Sequence, residues 1–156
     1  MKYEIHKIVS GGQTGVDQGA LDAAIRLGIP HGGWCPLGRI CESGEIPTRF
    51  HLAELETPDY AARTRQNVLD SDGTLIICRS KMTGGTLLTY RLADSLDRPC
   101  IVVRLDEDRR LDEVRWWLED ERIEVINVAG PRESGEPGIA DETTAYLIKL
   151  FEPSDR

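Results

Sequence analysis

The sequence predicts an α/β fold of three layers, in which helices cover both faces of a mostly parallel sheet. Short apolar runs of strand length alternate with segments of helical periodicity, the pattern of repeated βα units. The runs at residues 74 to 78 and 100 to 103 are almost continuously apolar, which is typical of strands buried on both faces. The chain has 156 residues, and we expect residues 1–156 to form a single Rossmann-like domain.

The elements can be placed in order from these patterns and from helix-end signals. Gly28 is a natural end for the first helix, Thr57-Pro58 precedes the second, and Gly84-Gly85 precedes the third. The fourth is amphipathic, with Leu111 and Val114 on its apolar face. The predicted order is strand 4–9, helix 16–27, strand 30–35, helix 59–70, strand 74–78, helix 86–96, strand 100–104, helix 109–121, strand 123–128 and helix 140–151.

Composition and net charge exclude some classes of binding partner. The chain is 40% hydrophobic and 29% charged, with a formal net charge of −8, so neither nucleic acid nor a membrane surface is an expected partner. A few local arginines could still hold a small anion. The sequence has no apolar run of membrane-spanning length and its first residues do not resemble a secretory signal. We therefore expect a cytoplasmic location and reduced thiols at all four cysteines.

A long connection at residues 31–58 is a candidate lid or ligand-gathering loop, because long connections in compact domains are often functional. It carries Arg39, which we expect to contact an anion. Trp34 could stack on a flat ligand ring, or could simply pack the loop. His31, Cys35, Cys41 and His51 match no standard zinc spacing, so no zinc or other metal site is predicted. A role for either cysteine near a soft metal, or in a Cys-His pair, stays open.

A glycine-rich loop lies where the first strand meets the first helix. Glycines allow close backbone approach, and the free N–H groups of a helix start favour an anion, so this loop is a candidate phosphate cradle. A dinucleotide fingerprint would need glycine where Ser10 stands and an acid near Gly33, and no Walker lysine follows. We therefore expect no NAD. Helix packing alone is the alternative. The candidate residues are Gly11, Gly12, Gln13, Thr14, Gly15 and Asp17.

Three further segments are expected at the carboxyl edge of the sheet, where α/β proteins bind ligands. The loop after strand 74–78 contains Thr83, Gly84, Gly85 and Thr86, and the segment after the last strand supplies Asn127 and Arg132. Arg63 and Asn67, four residues apart, share one helix face and suit a phosphate or a base edge. A plain Gly-Pro turn and a solvated helix face are the alternatives for the last two segments.

These residues carry a resemblance to a known family. The chain resembles the molybdenum cofactor carrier family, a circularly permuted branch of the SLOG superfamily related to the Lonely Guy proteins. The resemblance implies a Rossmann-like SLOG domain, a homo-oligomer, and a crevice for a pterin or nucleotide phosphate. The motifs that carry it are Gly11-Gly12-Gln13-Thr14-Gly15-Val16-Asp17, Gly33-Trp34-Cys35-Pro36, Arg63-Thr64, Asn67-Val68, Gly84-Gly85-Thr86 and Asn127-Val128-Ala129-Gly130-Pro131-Arg132.

The function implied is binding or carriage of an anionic, ring-bearing small molecule, with molybdenum cofactor as the first candidate. The alternatives are a nucleoside monophosphate phosphoribohydrolase and a sensor of a nucleotide signal. Phosphoribohydrolases of the superfamily carry an acid on the helix after their Gly-Gly-Thr loop, whereas Thr86 is followed here by Leu-Leu-Thr-Tyr-Arg. Asp17, Asp22 or Glu133 could substitute. We assign no catalytic residue from the sequence and favour a protein that is not an enzyme.

The ligand site predicted from the sequence draws on every segment above. It comprises Gly11, Gly12, Gln13, Thr14, Gly15, Asp17, Trp34, Arg39, Arg63, Asn67, Thr83, Gly84, Gly85, Thr86, Asn127 and Arg132.

Overall fold

A five-stranded parallel sheet lies at the centre of the molecule. The computed structural model of the chain describes residues 4–107 and 110–152. Within them the elements run β1 Lys7–Val9, α1 Val16–Leu27, β2 His31–Gly32, β3 Trp34–Cys35, β4 Ile40–Cys41, β5 Gly44–Glu45, β6 Ala53–Glu54, α2 Tyr60–Leu69, β7 Gly73–Cys78, α3 Gly84–Ser95, β8 Cys100–Arg104, α4 Leu111–Asp120, β9 Val125–Ala129 and α5 Ile139–Phe151. The central sheet has the order β2-β1-β9-β7-β8, and all its neighbouring strands are parallel.

Helices cover both faces of this sheet, as the apolar run of β7 predicts, whereas in β8, at the edge of the sheet, only Val103 is buried. All six residues of β7 are buried, and alternate side chains of a strand point to opposite faces. Leu75 and Ile77 pack in a core with side chains of α1, α4 and α5. Helices α2 and α3 contact each other, and α3 also contacts β7 and β8. The predicted three-layer, Rossmann-like α/β fold with a mostly parallel sheet is confirmed.

Predicted and observed elements differ mainly at one place. The strand predicted at residues 30–35 is two strands in different sheets, because Gly33 adopts φ +120° between them. Strand β2 pairs with β1, whereas β3 pairs with β6. A Cβ at Gly33 would lie 2.3 Å from the Ser10 carbonyl oxygen, so only glycine fits where the chain leaves the central sheet.

The other boundaries shift by small amounts. Only the last three residues of the predicted strand 4–9 are β1. Helix α2 begins after Asp59, whose carboxylate accepts a hydrogen bond from the N–H of Ala61. Residue 109, the predicted start of the fourth helix, lies outside the described residues, and α4 begins at Leu111. In that helix Trp117 is 9% exposed and packs in the core, whereas Trp116 is 68% exposed.

Residues 31–58 form a compact substructure with a small core of their own. Leu21 of α1 packs with Cys35, Cys41, Ile46 and Phe50, and Leu52 covers this cluster. Strands β3 and β6 form a small parallel sheet, and β4 and β5 form an antiparallel hairpin. The long connection is therefore held in place by packing and by strand pairing.

Two observations concern the state of the cysteines and the possibility of a membrane-spanning helix. All four cysteines are free thiols. Within the described ranges, no helix combines the length and the apolar character that crossing a membrane requires.

Candidate functional site

A cleft of about 380 Å³ opens at the carboxyl edge of the sheet. Its walls come from the first helix turn of α2, the loop before α3 and the segment after β9. Half of the sequence-predicted site residues line it: Gln13, Asp17, Arg63, Thr83, Gly84, Gly85, Thr86 and Arg132. The parallel sheet explains this convergence, since the loops that follow parallel strands meet at one edge.

The start of α3 faces this cleft with open space in front of it. Gly84 has φ +52°, and a Cβ built on Gly84 or Gly85 would have no atom of residues 4–107 and 110–152 within 4 Å. Within the same ranges, no side chain caps this 12-residue helix. The first N–H groups of a helix lack intrahelical partners and lie at the positive end of its dipole. This end of the cleft is therefore suited to an anion.

A buried ion pair forms the floor of the cleft. Arg63 Nη1 lies 3.2 Å from Asp17 Oδ2, and the two side chains are 13% and 4% exposed. Burial raises the pKa of Asp17, while Arg63 and the N–H of Gln13 act in the opposite direction. A Cβ at Gly11 would lie 2.0 Å from Arg63 Nη1. Glycine at position 11 therefore makes room for the guanidinium that partners Asp17.

Two buried donors in the cleft wall have no hydrogen-bond partner among the described residues. They are Gln13 Nε2 and Arg63 Nε. The side-chain oxygen of Gln13, Oε1, accepts hydrogen bonds from the N–H groups of Thr14 at 3.1 Å and Glu42 at 2.8 Å, which fixes the orientation of the side-chain amide. A buried donor without an acceptor costs about 1–3 kcal/mol.

In the first glycine loop, predicted as the cradle, several N–H groups donate to acceptors within the protein. The N–H of Gln13 donates to Asp17 Oδ2 at 3.1 Å, and that of Val16 donates to the Pro131 carbonyl at 3.1 Å. A Cβ at Gly12 would meet Ile46 Cδ1 at 2.7 Å, and one at Gly15 would meet the Pro131 oxygen at 2.4 Å. Gly12, Thr14 and Gly15 do not line the cleft.

Arg39 is also placed away from the cleft. Its Nη2 donates to the carbonyls of Ile46, Pro47 and Phe50 at 3.3, 3.0 and 2.9 Å. This guanidinium therefore holds together the turn above the small core of residues 31–58. The binding role predicted for Arg39 is untested, and we leave this residue out of the proposed site.

Trp34 and Asn67 are joined to each other. The Asn67 side chain accepts from the Trp34 N–H at 2.8 Å and donates to the Trp34 carbonyl at 3.0 Å. The Trp34 indole donates to Asp70 Oδ2 at 2.6 Å, and Trp34 does not line the cleft.

Asn127 lies in a small depression next to the cleft, where its side-chain amide donates to Thr74 Oγ1 at 3.2 Å. Gly11, Asn67 and Asn127 line this depression, which shares Asp17 and Arg63 with the cleft.

Among the cleft residues that were absent from the sequence-based site, Tyr60, Lys81 and Glu136 carry charged or aromatic side chains. Tyr60 lies between two cations, with its ring centroid 5.8 Å from Arg63 Cζ and 5.9 Å from Arg132 Cζ. Its place three residues before Arg63 on one helix face is a signal that could have identified it. Lys81, beside the second glycine loop, offers a similar signal. Glu136, whose carboxylate accepts the Arg79 N–H at 3.0 Å, has no comparable sequence signature.

The histidines and cysteines of residues 31–58 lie outside the cleft. The N–H of His51 donates to His31 Nε2 at 3.1 Å, and burial, His51 and Lys7 lower the pKa of His31. Burial raises the pKa of the Cys35 thiol. In the part of the chain that the structure describes, no cluster of three or more His, Cys, Asp or Glu residues is arranged to hold a metal ion.

Comparison with known proteins adds two likenesses. The sequence model of the circularly permutated YpsA SLOG family matches residues 8–151. The chain is also similar to the "putative molybdenum carrier protein" from Syntrophus aciditrophicus SB, known from a crystal structure at 1.45 Å resolution. The two share 44% sequence identity with a TM-score of 0.91 over 98% of each chain. No curated protein matches the sequence.

Proposed function

The chain belongs to the circularly permuted YpsA SLOG family, and from that premise we propose that it binds and carries an anionic, ring-bearing small molecule in the cleft. Molybdenum cofactor, or a related pterin or nucleotide phosphate, is the proposed cargo. The relative with 44% identity bears the name of a molybdenum carrier, which favours that cargo. The observation that carries the proposal is the open start of α3 beside two buried donors without acceptors.

The phosphate of the cargo is assigned to the start of α3. Gly84 and Gly85 leave space for it, and the helix dipole favours its charge. Lys81 and Arg132 line the same cleft and supply positive charge around it. Phosphate held by a helix start and by cationic side chains is a recurrent arrangement.

The ring of the cargo is assigned to the side of the cleft formed by Tyr60. An aromatic face flanked by two guanidinium groups is suited to a flat heterocycle, which can stack on it. Gln13 Nε2 and Arg63 Nε would donate to ring nitrogens, ring oxygens or phosphate oxygens. Molybdenum in the cofactor is held by the dithiolene sulfurs of its own pterin, so the protein groups proposed here hold phosphate and ring.

A phosphoribohydrolase is the second candidate, and one observation favours it. Glu136 brings a carboxylate into the cleft from the segment after β9. Cleavage of a glycosidic bond requires a carboxylate near the sugar. Asp22 and Glu133, considered from the sequence, are engaged elsewhere, with Arg49 and with the start of α5 respectively. A sensor of a nucleotide signal would use the same cleft.

Two further parts of the proposal concern the oligomeric state and the cellular location. We retain the homo-oligomer implied by the family resemblance, with exposed Trp116 on α4 as the residue to test. Replacement by serine should shift the mass measured by light scattering if that side chain is in the interface. The four free thiols support the expected cytoplasmic location.

Calorimetric titration with a nucleoside monophosphate and with a pterin phosphate tests the binding proposal. Gly85→Val fills the space before α3 and should lower affinity at least about tenfold, because charge-assisted hydrogen bonds are lost. Ser95→Val, an exposed position at the other end of the same helix, is the matched control. Equal affinity in both variants would refute the site. Sustained release of free base, abolished by Glu136→Gln, would replace the carrier with the hydrolase.

A further inference from the structure

The carboxylate of Glu42 occupies a set of hydrogen-bond donors at the rim of the cleft. Glu42 lies in the turn of the β4–β5 hairpin. It accepts from the hydroxyl of Ser134 at 2.6 Å, from the N–H of Ser134 at 3.1 Å and from the hydroxyl of Thr14. Arg132 Nη1 lies 3.9 Å away. Glu42 therefore bridges Thr14 and Ser134, which are 120 residues apart in the sequence.

These donors form the kind of site that binds a phosphate or carboxylate group. Two hydroxyls, a backbone N–H and a guanidinium converge on one anion, which is the usual composition of such a site. The donor set is built from the first glycine loop and the segment after β9, both predicted from the sequence to hold an anion. The hydroxyls of Ser134 and Thr14 hold the pKa of Glu42 below its ordinary value, as they would stabilise any bound anion.

The donor set is continuous with the cleft. Arg132 lines the cleft on one side and approaches Glu42 on the other. Gln13 Oε1 accepts the backbone N–H of Glu42 at 2.8 Å, and Gln13 is also one of the residues that line the cleft. A group bound in the cleft therefore touches residues that also hold Glu42.

We propose that Thr14, Ser134 and Arg132 form a second anion site, filled here by the chain's own Glu42, and that an anionic group of the ligand displaces this carboxylate. Glu42 is then an internal competitor. Its displacement breaks the hydrogen bonds between the Glu42 carboxylate and both neighbouring loops, so the β4–β5 hairpin is the part of residues 31–58 that responds to the ligand. The inference deepens the proposed function and rests on it for the ligand's remaining contacts.

Inorganic phosphate is the probe for this second site. Glu42→Ala should bind phosphate at least about tenfold more tightly than the unmodified protein, because a competing charge is removed while the donors remain. The matched control is Glu45→Ala, which removes the same charge from the same exposed hairpin and should leave affinity unchanged. Adding Ser134→Ala to Glu42→Ala should abolish the gain. A gain shared with Glu45→Ala, or one that survives Ser134→Ala, would overturn the proposal.

Two additional variants separate the possible failures. Glu42→Gln keeps a hydrogen-bonding side chain of the same size, and it should show a smaller gain in the same direction if Glu42→Ala does not fold. Equal phosphate affinity in Glu42→Gln and Glu45→Gln would also overturn the proposal. Combined with Glu42→Ala, Gly85→Val should preserve the phosphate gain because α3 is not part of this donor set. Unchanged nucleotide binding in this double variant, with the phosphate gain intact, would count against the proposed function alone.

Discussion

The two glycine loops of this molecule look alike in sequence and are used in opposite ways. In the first, a Cβ at Gly11, Gly12 or Gly15 would lie 2.0, 2.7 or 2.4 Å from a protein atom. In the second, a Cβ at Gly84 or Gly85 would have no atom within 4 Å in the part of the chain that the structure describes. The first loop uses glycine to let protein approach protein, and the second leaves room for something else.

The comparison shows why a glycine motif alone does not locate a ligand. Glycine is required wherever the backbone is closely approached, whether by an arginine, a carbonyl or a phosphate. In the first loop, Arg63, which pairs with Asp17, approaches Gly11, and the Pro131 carbonyl approaches Gly15. Substitutions should therefore act on stability in the first loop and on binding in the second.

The largest loss of stability is expected when the ion pair between Arg63 and Asp17, next to the first glycine loop, is broken. Arg63→Ala should reduce the free energy of unfolding by about 3–5 kcal/mol near neutral pH, because Asp17 is left buried without its cation. Burial raises the pKa of Asp17, and Arg63 is the largest of the influences that lower it, so the variant should raise this pKa further. Stability of the variant should fall as pH rises through that folded-state pKa.

Urea denaturation at about pH 5 and about pH 8 measures this dependence. Arg91→Ala removes the same charge from an exposed position on α3 and should change stability by no more than about 0.5 kcal/mol. A loss for Arg63→Ala that grows toward acid pH would contradict the assignment of the ion pair.

Gly15→Ala should give the next largest loss. Gly15 has φ +82°, and its Cβ would collide with the backbone of Pro131. Strain and overpacking each cost roughly 1–3 kcal/mol, so the expected loss is at least about 2 kcal/mol. Thermal and urea unfolding would measure it. A stable variant with impaired nucleotide binding would instead return the first loop to the role of a cradle.

Arg39→Ala is expected to cost stability and to leave ligand affinity unchanged. Its guanidinium donates to three carbonyls within residues 31–58, and a hydrogen bond involving a charged group contributes about 1.5–3 kcal/mol. Arg49→Ala, from the same segment, is the control, since its exposed pair with Asp22 is worth at most about 1 kcal/mol. Calorimetric titration of Arg39→Ala that showed weaker nucleotide binding would bring this residue back into the site.

Gly85→Ala should have the smallest effect on the fold, and of opposite sign. The position has no positive φ and no neighbour within 4 Å, so alanine should stabilise the protein by about 0.4–1 kcal/mol through the unfolded chain. Affinity for a nucleoside monophosphate should fall about fivefold or more if the anion lies there. Unchanged affinity in this stable variant would remove α3 from the site and erase the contrast between the loops.

The fold could be predicted from sequence because its signals are local. Helix α1 coincides with the predicted 16–27, ended by a left-handed Gly28, and β8 coincides with the predicted 100–104. The apolar run of β7 correctly predicts burial on both faces. Prediction fails at Gly33, because its conformation is set by the Ser10 carbonyl, a contact between segments distant in sequence.

The site was predictable in part for the same reason. Topology alone brings the loops after β7 and β9 to one edge, so Gly84 and Arg132 could be expected to share a cleft. Whether a polar group faces that cleft depends on partners that sequence does not reveal. Asn67 pairs with the Trp34 backbone, and Glu136 reaches the cleft through a loop whose path has no sequence signature.

The position of β9 between β1 and β7 also has a consequence for how the protein is made. Until β9 leaves the ribosome, the pair β1 and β2 is not hydrogen-bonded to the pair β7 and β8, so the central sheet consists of two separate pairs of strands. The hydroxyl of Ser10 donates to the carbonyl of Val128, which is 118 residues later in the chain. Synthesis of that stretch takes roughly 6–24 s at translation rates of about 5–20 residues per second. During that interval the apolar face of α1 lacks α5, its main contact. The nascent chain thus exposes an aggregation-prone surface that a chaperone could cover, and the sheet is completed only late in synthesis.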